Sequence, residues 1–174
     1  MIDDIKINIE KNNNINNDIN DIIYGYPSKE SYKIVLLGDN EIGAKTSFMN
    51  VLVNGKFYFM LDIWDTSGQE KYIFLTIKTF AKDTDCVVLG YDVTNYHSFE
   101  NIKNYYHSEI KKLGIELIYL IGNKIDLFEN QVVSESEARD YAEHNGMRFF
   151  LISCKYHTGI EEFLEDLVKE LAIL

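Results

Sequence analysis

Residues 32–47 read YKIVLLGDNEIGAKTS, and no other stretch restricts the fold of this chain as tightly. Ile34, Val35, Leu36 and Leu37 form an unbroken apolar run, the pattern of a strand buried on both faces, as in parallel sheets. The run stops at Gly38, passes through Asp39 and a polar loop to Gly43 and Ala44, and reaches Lys45, Thr46 and Ser47. A buried strand, a glycine-bounded loop and Lys-Thr at the head of a helix make the layout of a phosphate-binding loop. Successive backbone N–H groups at a helix start converge on one concavity, and the helix dipole adds positive potential there. A lysine there supplies a mobile charge for the outer phosphates, and a threonine hydroxyl suits magnesium. The spacing departs from the usual one. Ala44 separates Gly43 from Lys45, so either the loop is one residue longer than usual or alanine stands where glycine is usual. Taken alone, the stretch is equally compatible with a strand–turn–helix joint that binds nothing.

The rest of the composition narrows the class. A chain of 174 residues, 46% hydrophobic, suits one domain with a proper core. Its formal net charge of −11 argues against nucleic acid or an anionic membrane as the main partner. Cys86 and Cys154 each fall in a strand-like apolar run, which fits a reducing compartment and no disulfide framework. No apolar stretch approaches a membrane span and no signal-peptide pattern opens the chain, so a cytoplasmic location is expected. The histidines (His97, His107, His144 and His157) show no metal-ligand spacing.

Residues 1–29 differ from the rest of the chain. Asparagines at positions 8, 12, 13, 14, 16, 17 and 20 are interspersed with isoleucines, a low-complexity, poorly helical composition that predicts a mostly disordered tail. The domain is expected over 30–174.

Downstream, strands and helices alternate. After Lys45, Phe48, Val51 and Leu52 have helical spacing with Asn54 and Gly55 as a stop. A hairpin turning at the same Asn-Gly pair is the competing reading, and the helix is favoured because a phosphate-binding lysine needs one behind it. A strand over 59–64 delivers Asp65 to its C-terminal end, where ligands of doubly wound sheets bind. Further strands are expected over 85–94, 117–122 and 148–153. The spacing predicts a helix over 98–113 with a stripe at Phe99, Ile102, Tyr106, Ile110 and Leu113. Capping boxes open two more helices, from Ser134 to Glu137 and from Thr158 to Glu161. The last carries Ile160, Phe163, Leu164, Leu167, Val168 and Leu171 on one face. The fold class is therefore α/β, with a doubly wound, mostly parallel sheet of about five strands.

The polar residues at the strand ends form an ordered set. Asn123, Lys124 and Asp126 follow one buried strand. A carboxylate such as Asp126 accepts from both N1–H and the exocyclic amine of guanine, whereas adenine offers no N1 donor. Alone, such a triplet is a common polar loop. Downstream of a phosphate-binding loop and WDTSGQE, and upstream of Ser153, Cys154 and Lys155, it carries weight.

In LLGDNEIGAKTSF, LDIWDTSGQEKY, GYDVTNYHSFENIKNYY, LIGNKIDL and FLISCK, the chain resembles a Rab-like small GTPase of the Ras superfamily, a P-loop NTPase fold. The resemblance runs from Tyr32 to the C-terminus. It implies binding of GTP and GDP with Mg2+. Gly38, Asp39, Gly43, Ala44, Lys45, Thr46 and Ser47 would surround the phosphates, with Lys45 on the β and γ groups and Thr46 on the metal. Asp65 would support the metal through water, Gly68 would meet the γ-phosphate, and Gln69 would orient the hydrolytic water as the catalytic residue. Asn123, Lys124 and Asp126 would read guanine, with Ser153, Cys154 and Lys155 closing over the base. Cys154 stands for the family's usual alanine, at a contact made by backbone N–H, and Ser67 for another alanine.

One departure is large. The family's first helix is followed by a loop bearing a metal-binding threonine, switch I, and then by a second strand antiparallel to the third. Here Phe57 runs almost directly into the third strand, and no threonine lies between Ser47 and Asp65. About 20 residues, a loop plus one ordinary strand, are absent. A direct right-handed crossover would remain, so five strands are expected, with the third at the edge. Without switch I the magnesium site should be weakened and hydrolysis reduced. KELAIL offers no cysteine for a prenyl group, so the expectation is a monomer without its own lipid anchor, reaching membranes through trafficking effectors or regulators. Two alternatives stay open: a pseudo-GTPase interaction module, or an ordinary Rab whose gene model lost a segment.

Overall fold

The computed structural model describes residues 4–7, 31–38, 60–65 and 83–174. Elements are numbered over those residues. The sheet consists of β1 (Asp4–Ile7), β2 (Ser31–Leu37), β3 (Met60–Asp65), β4 (Cys86–Asp92), β5 (Ile118–Asn123) and β6 (Arg148–Leu151). Its spatial order is β1-β3-β2-β4-β5-β6. Strands β2 to β6 are all parallel, and β1 pairs antiparallel with β3. The doubly wound, mostly parallel sheet expected from the sequence is present with its five parallel strands. The expected exposed edge is not: β1 covers β3, and its four residues come from the stretch read as tail. Residues 1–3 and 8–30 lie outside the described residues.

The apolar runs divide by alternation into two cores. Tyr32, Ile34, Leu36, Cys86, Val88, Tyr119 and Ile121 pack on one face with α4 (Ile160–Ala172) through Ile160, Phe163, Leu164, Leu167 and Leu171. Val35, Leu37, Val87, Leu89, Tyr91 and Leu120 pack on the other with Phe99, Ile102, Tyr106, Ile110, Ala138 and Ala142. Helices on both faces explain why these strands are apolar at every position rather than every second one. Arg148 clips β6 to α4 through Asp166 at 2.8 Å and through Glu170. No helix among the described residues is long and apolar enough to cross a membrane.

Three local expectations shift. The helix expected over 98–113 is α1 (Tyr96–Asn101), a π turn (Ile102–Tyr106) and α2 (His107–Lys111). Its stripe is buried except for Leu113, which lies past the helix end at 36% exposure. The Ser134 cap forms as read, accepting from the N–H of Glu137 at 3.2 Å at the head of α3 (Glu135–His144). The Thr158 cap does not form. The Thr158 backbone is bonded both ways to Ser153, and Gly159, with φ of 72°, stands at the helix start instead.

Candidate functional site

All five parallel strands end on one side of the sheet, and the switch in winding direction falls between β2 and β4. Ligands of such sheets bind outside the carboxyl ends at that switch. Gly38 follows β2, Asp65 ends β3, Asp92 ends β4 and Asn123 ends β5. Parallel register therefore brings four motif-bearing ends together. Asp39, Gly43, Ala44, Lys45, Thr46, Ser47, Gly68 and Gln69 lie outside the described residues.

The turn after β5 is pinned from both neighbours. Asn123 O accepts from Val93 N–H at 3.0 Å, on the β4 side, and Ile125 N–H reaches Ile152 O at 3.3 Å, on the β6 side. Between them Lys124 takes φ of 69°, a left-handed conformation costing about 1–2 kcal/mol for a residue with a Cβ. An ion pair to Asp92, Nζ to Oδ2 at 2.5 Å, holds its side chain. The other Asp92 oxygen accepts from the N–H and hydroxyl of Thr94 at 2.8 and 2.7 Å. A buried carboxylate is stable only with such partners.

Residues 31 positions apart then meet. Asn123 is 3% exposed, and its Oδ1 accepts from the backbone N–H of Cys154 at 3.1 Å. Asp126 opens a 3-10 turn (Ile125–Asn130), and its Oδ1 accepts from the Ser153 hydroxyl at 2.6 Å. That hydroxyl in turn accepts from Tyr156 N–H at 3.2 Å, and the Ser153–Thr158 bridge closes the loop. Two hydrogen bonds, Asn123 with Cys154 and Asp126 with Ser153, thus join the loops after β5 and β6, with Lys124 tied to Asp92 and Lys155 exposed beside them. Burial, with the Asp126 charge adding to it, pushes the Cys154 thiol up to about 11, so the side chain is a neutral filler at neutral pH. Sequence reasoning missed Asp92. Its signal was an acid at the carboxyl end of a fully apolar strand.

The acceptors suit the two parallel donors of a guanine edge. Ser153 takes one lone pair of Asp126 and fixes the carboxylate plane, and a carboxylate has about four such sites, leaving capacity for two parallel donors. The Asn123 side chain is oriented by Cys154, and the stem of Lys124 is tethered at its far end by Asp92.

A family profile described as "Ras family" matches residues 53–173. Ras-related protein Rab-21 of Mus musculus is 36% identical over 164 positions, covering 81% of this chain and 73% of that protein. Ras-related protein Rab-7a of Paramecium octaurelia is 34% identical over 173 positions, covering 83% and 82%, and RABG3f of Arabidopsis thaliana 33% over 168, covering 79% and 81%. The alignment with the mouse protein spans 164 positions but takes up about 141 residues here, 81% of 174, so about 23 positions face no residue of this chain. That number is about the size of the loop and strand expected to be missing. With the profile spanning most of its length and relatives from animal, ciliate and plant matching across it, the chain belongs to the Ras family of small GTPases and is Rab-like.

Proposed function

We propose that the chain binds GTP and GDP as a Rab-like GTPase of vesicle trafficking whose hydrolysis and switching are weakened. The observation that carries the reading is the Asn123–Asp126 turn locked to Ser153 and Cys154, an arrangement whose acceptors match guanine. On this reading Asn123, Lys124 and Asp126 take the base, with Ser153, Cys154 and Lys155 behind it. Gly38, Asp39, Gly43, Ala44, Lys45, Thr46 and Ser47 take the phosphates, joined by Gly68. Thr46 and Asp65 serve magnesium, which when bound would neutralise phosphate charge, and Gln69 positions water. The domain is 30–174, acting as a cytoplasmic monomer that meets membranes through effector or regulator proteins.

Titration calorimetry tests it. GDP should bind with clear preference over ADP, and Asp126→Asn should weaken guanine and favour xanthine, whose extra carbonyl wants a donor. Equal affinity for ADP and GDP would sink the reading. The family positions with no counterpart here favour one second reading, a pseudo-GTPase module in which nucleotide is structural or absent. Purified protein that neither carries nor takes up guanine nucleotide would select it.

A further inference from the structure

We propose that Tyr91 and Gly122 are a positioning pair for the base, a role that rests on the guanine reading of the Asn123–Asp126 turn. The end of the tyrosine ring, seated on the bare Cα of the glycine, sets where that turn stands. Register supplies the placement. Tyr91 aligns with Gly122 across β4 and β5, and Gly122 with Leu151 across β5 and β6. The next row aligns Asp92 with Asn123. Gly122 O also accepts from Ile152 N–H at 2.8 Å, and Ser153 follows Ile152. A single row therefore lies directly beneath Asp92, Asn123 and the loop that carries Ser153.

That row packs two large side chains around a residue with none. Tyr91 is fully buried and Leu151 half-buried. A Cβ on Gly122 would fall 2.6 Å from the Tyr91 hydroxyl oxygen, 2.7 Å from Tyr91 Cζ and 2.7 Å from Leu151 Cδ2. Each approach is well inside van der Waals contact. The end of the leucine can rotate away. The tyrosine ring is packed on the fully buried ring of Phe99, with centroids 5.0 Å apart. A close-packed interior passes such a displacement on rather than absorbing it.

The hydroxyl itself is informative. It has no hydrogen-bond partner among the described residues, although buried hydroxyls nearly always have one. Phenylalanine would be spared that cost. What the hydroxyl supplies is length, since its oxygen is the Tyr91 atom nearest the space above Gly122.

The placement of Asp126 can be read separately from folding. GDP and IDP differ only by the exocyclic amine of guanine, one of the two donors that Asp126 would accept. Both nucleotides bind the same folded population, so the ratio of their affinities reports where the carboxylate stands.

Calorimetric titration of the full chain with GDP, IDP and ADP tests the pair. The unsubstituted protein should favour GDP over IDP at least about tenfold, the worth of one hydrogen bond to a charged acceptor. Tyr91→Phe should cut that ratio at least about threefold by letting the turn settle out of place. Its urea midpoint should stay level or rise, because an unsatisfied hydroxyl has gone. Gly122→Ala, which pushes the other way, should also cut the ratio at least about threefold. A role confined to packing would move the midpoint and leave the ratio alone. An unchanged GDP-to-IDP ratio in Tyr91→Phe, with GDP still preferred to ADP, would overturn the positioning role and spare the guanine reading. Equal affinity for GDP and ADP in the unsubstituted chain would overturn both.

Discussion

The Asp92 carboxylate and the Lys124 ammonium lie 2.5 Å apart, tying the end of β4 to the left-handed residue that follows β5. Asp92 is 4% exposed and also holds both donors of Thr94. Asp92→Ala removes one charge from a buried pair and orphans two donors at once. Breaking a fully buried pair costs about 3–5 kcal/mol. The Lys124 side chain, 31% exposed, stays partly hydrated, so the expected loss is about 2–3 kcal/mol in urea unfolding. Asp92→Asn keeps an acceptor for Thr94 and should lose less. Unchanged stability in Asp92→Ala would show that the pair holds nothing.

Gly159 offers a second test. Its φ is 72°, and a Cβ would lie 2.4 Å from the carbonyl oxygen of Leu151, a backbone atom that cannot swing aside. Gly159→Ala therefore combines left-handed strain of about 1–2 kcal/mol with displacement of the loop that carries Ser153 and Cys154. Denaturant midpoints should fall by an amount equivalent to about 2–4 kcal/mol. A loss under about 0.5 kcal/mol would mean the loop relaxes freely.

How far the sequence disclosed this structure depended on what set each element. The five parallel strands and the stripe of α4 were legible because burial on two faces writes itself into unbroken apolar runs and 3.6-residue spacing. Asn123, Lys124 and Asp126 were legible as a triplet in context. Their ties to Ser153 and Cys154 were not, since hydrogen bonds across about 30 residues leave no local trace. Thr158 was misread as a cap because its pairing with Ser153 outweighs the local capping preference. Strand β1 was hidden by its surroundings: four alternating residues beside a run of asparagines vanish in any compositional window, and only the register against β3 exposes them.

Cysteine chemistry gives a third prediction. Burial raises both thiols, with Asp126 adding to the rise at Cys154 and Asp85 at Cys86. Dithionitrobenzoate at pH 8 should find no fast thiol in the folded protein and two in guanidinium, the full complement. The same shifts set a sign for pH dependence. A group whose folded pKa is raised lends stability that is complete below its ordinary value, here 9.0, and lost as pH climbs through the folded value, about 11 for Cys154. Stability should therefore hold level from these groups up to pH 9 and decline above it. One rapidly titrating thiol in native protein would contradict both statements.

The last prediction separates a hydrolase from a weakened relative of one. In the family, GTP draws two switches onto the γ-phosphate and magnesium, and that closure distinguishes the two states. This chain retains Asp65 and Gln69 but has no threonine between Ser47 and Asp65 to serve as the first switch's sensor. A ligand shifts an equilibrium only by its differential affinity for the two states. On the proposed reading Lys45 and the Gly68 backbone are the remaining γ-phosphate contacts, so that difference should be small. Hydrolysis should suffer twice. The attacking water lacks a positioning partner, and solvent screens the charges that would stabilise the transition state. GDP and GTP should then bind with similar affinity, EDTA should weaken binding less than in a Rab with both switches, and Gln69→Leu should change little. Single-turnover GTP hydrolysis at the pace of such a Rab, abolished by Gln69→Leu, would instead establish a fully competent enzyme that completes its site without the missing segment.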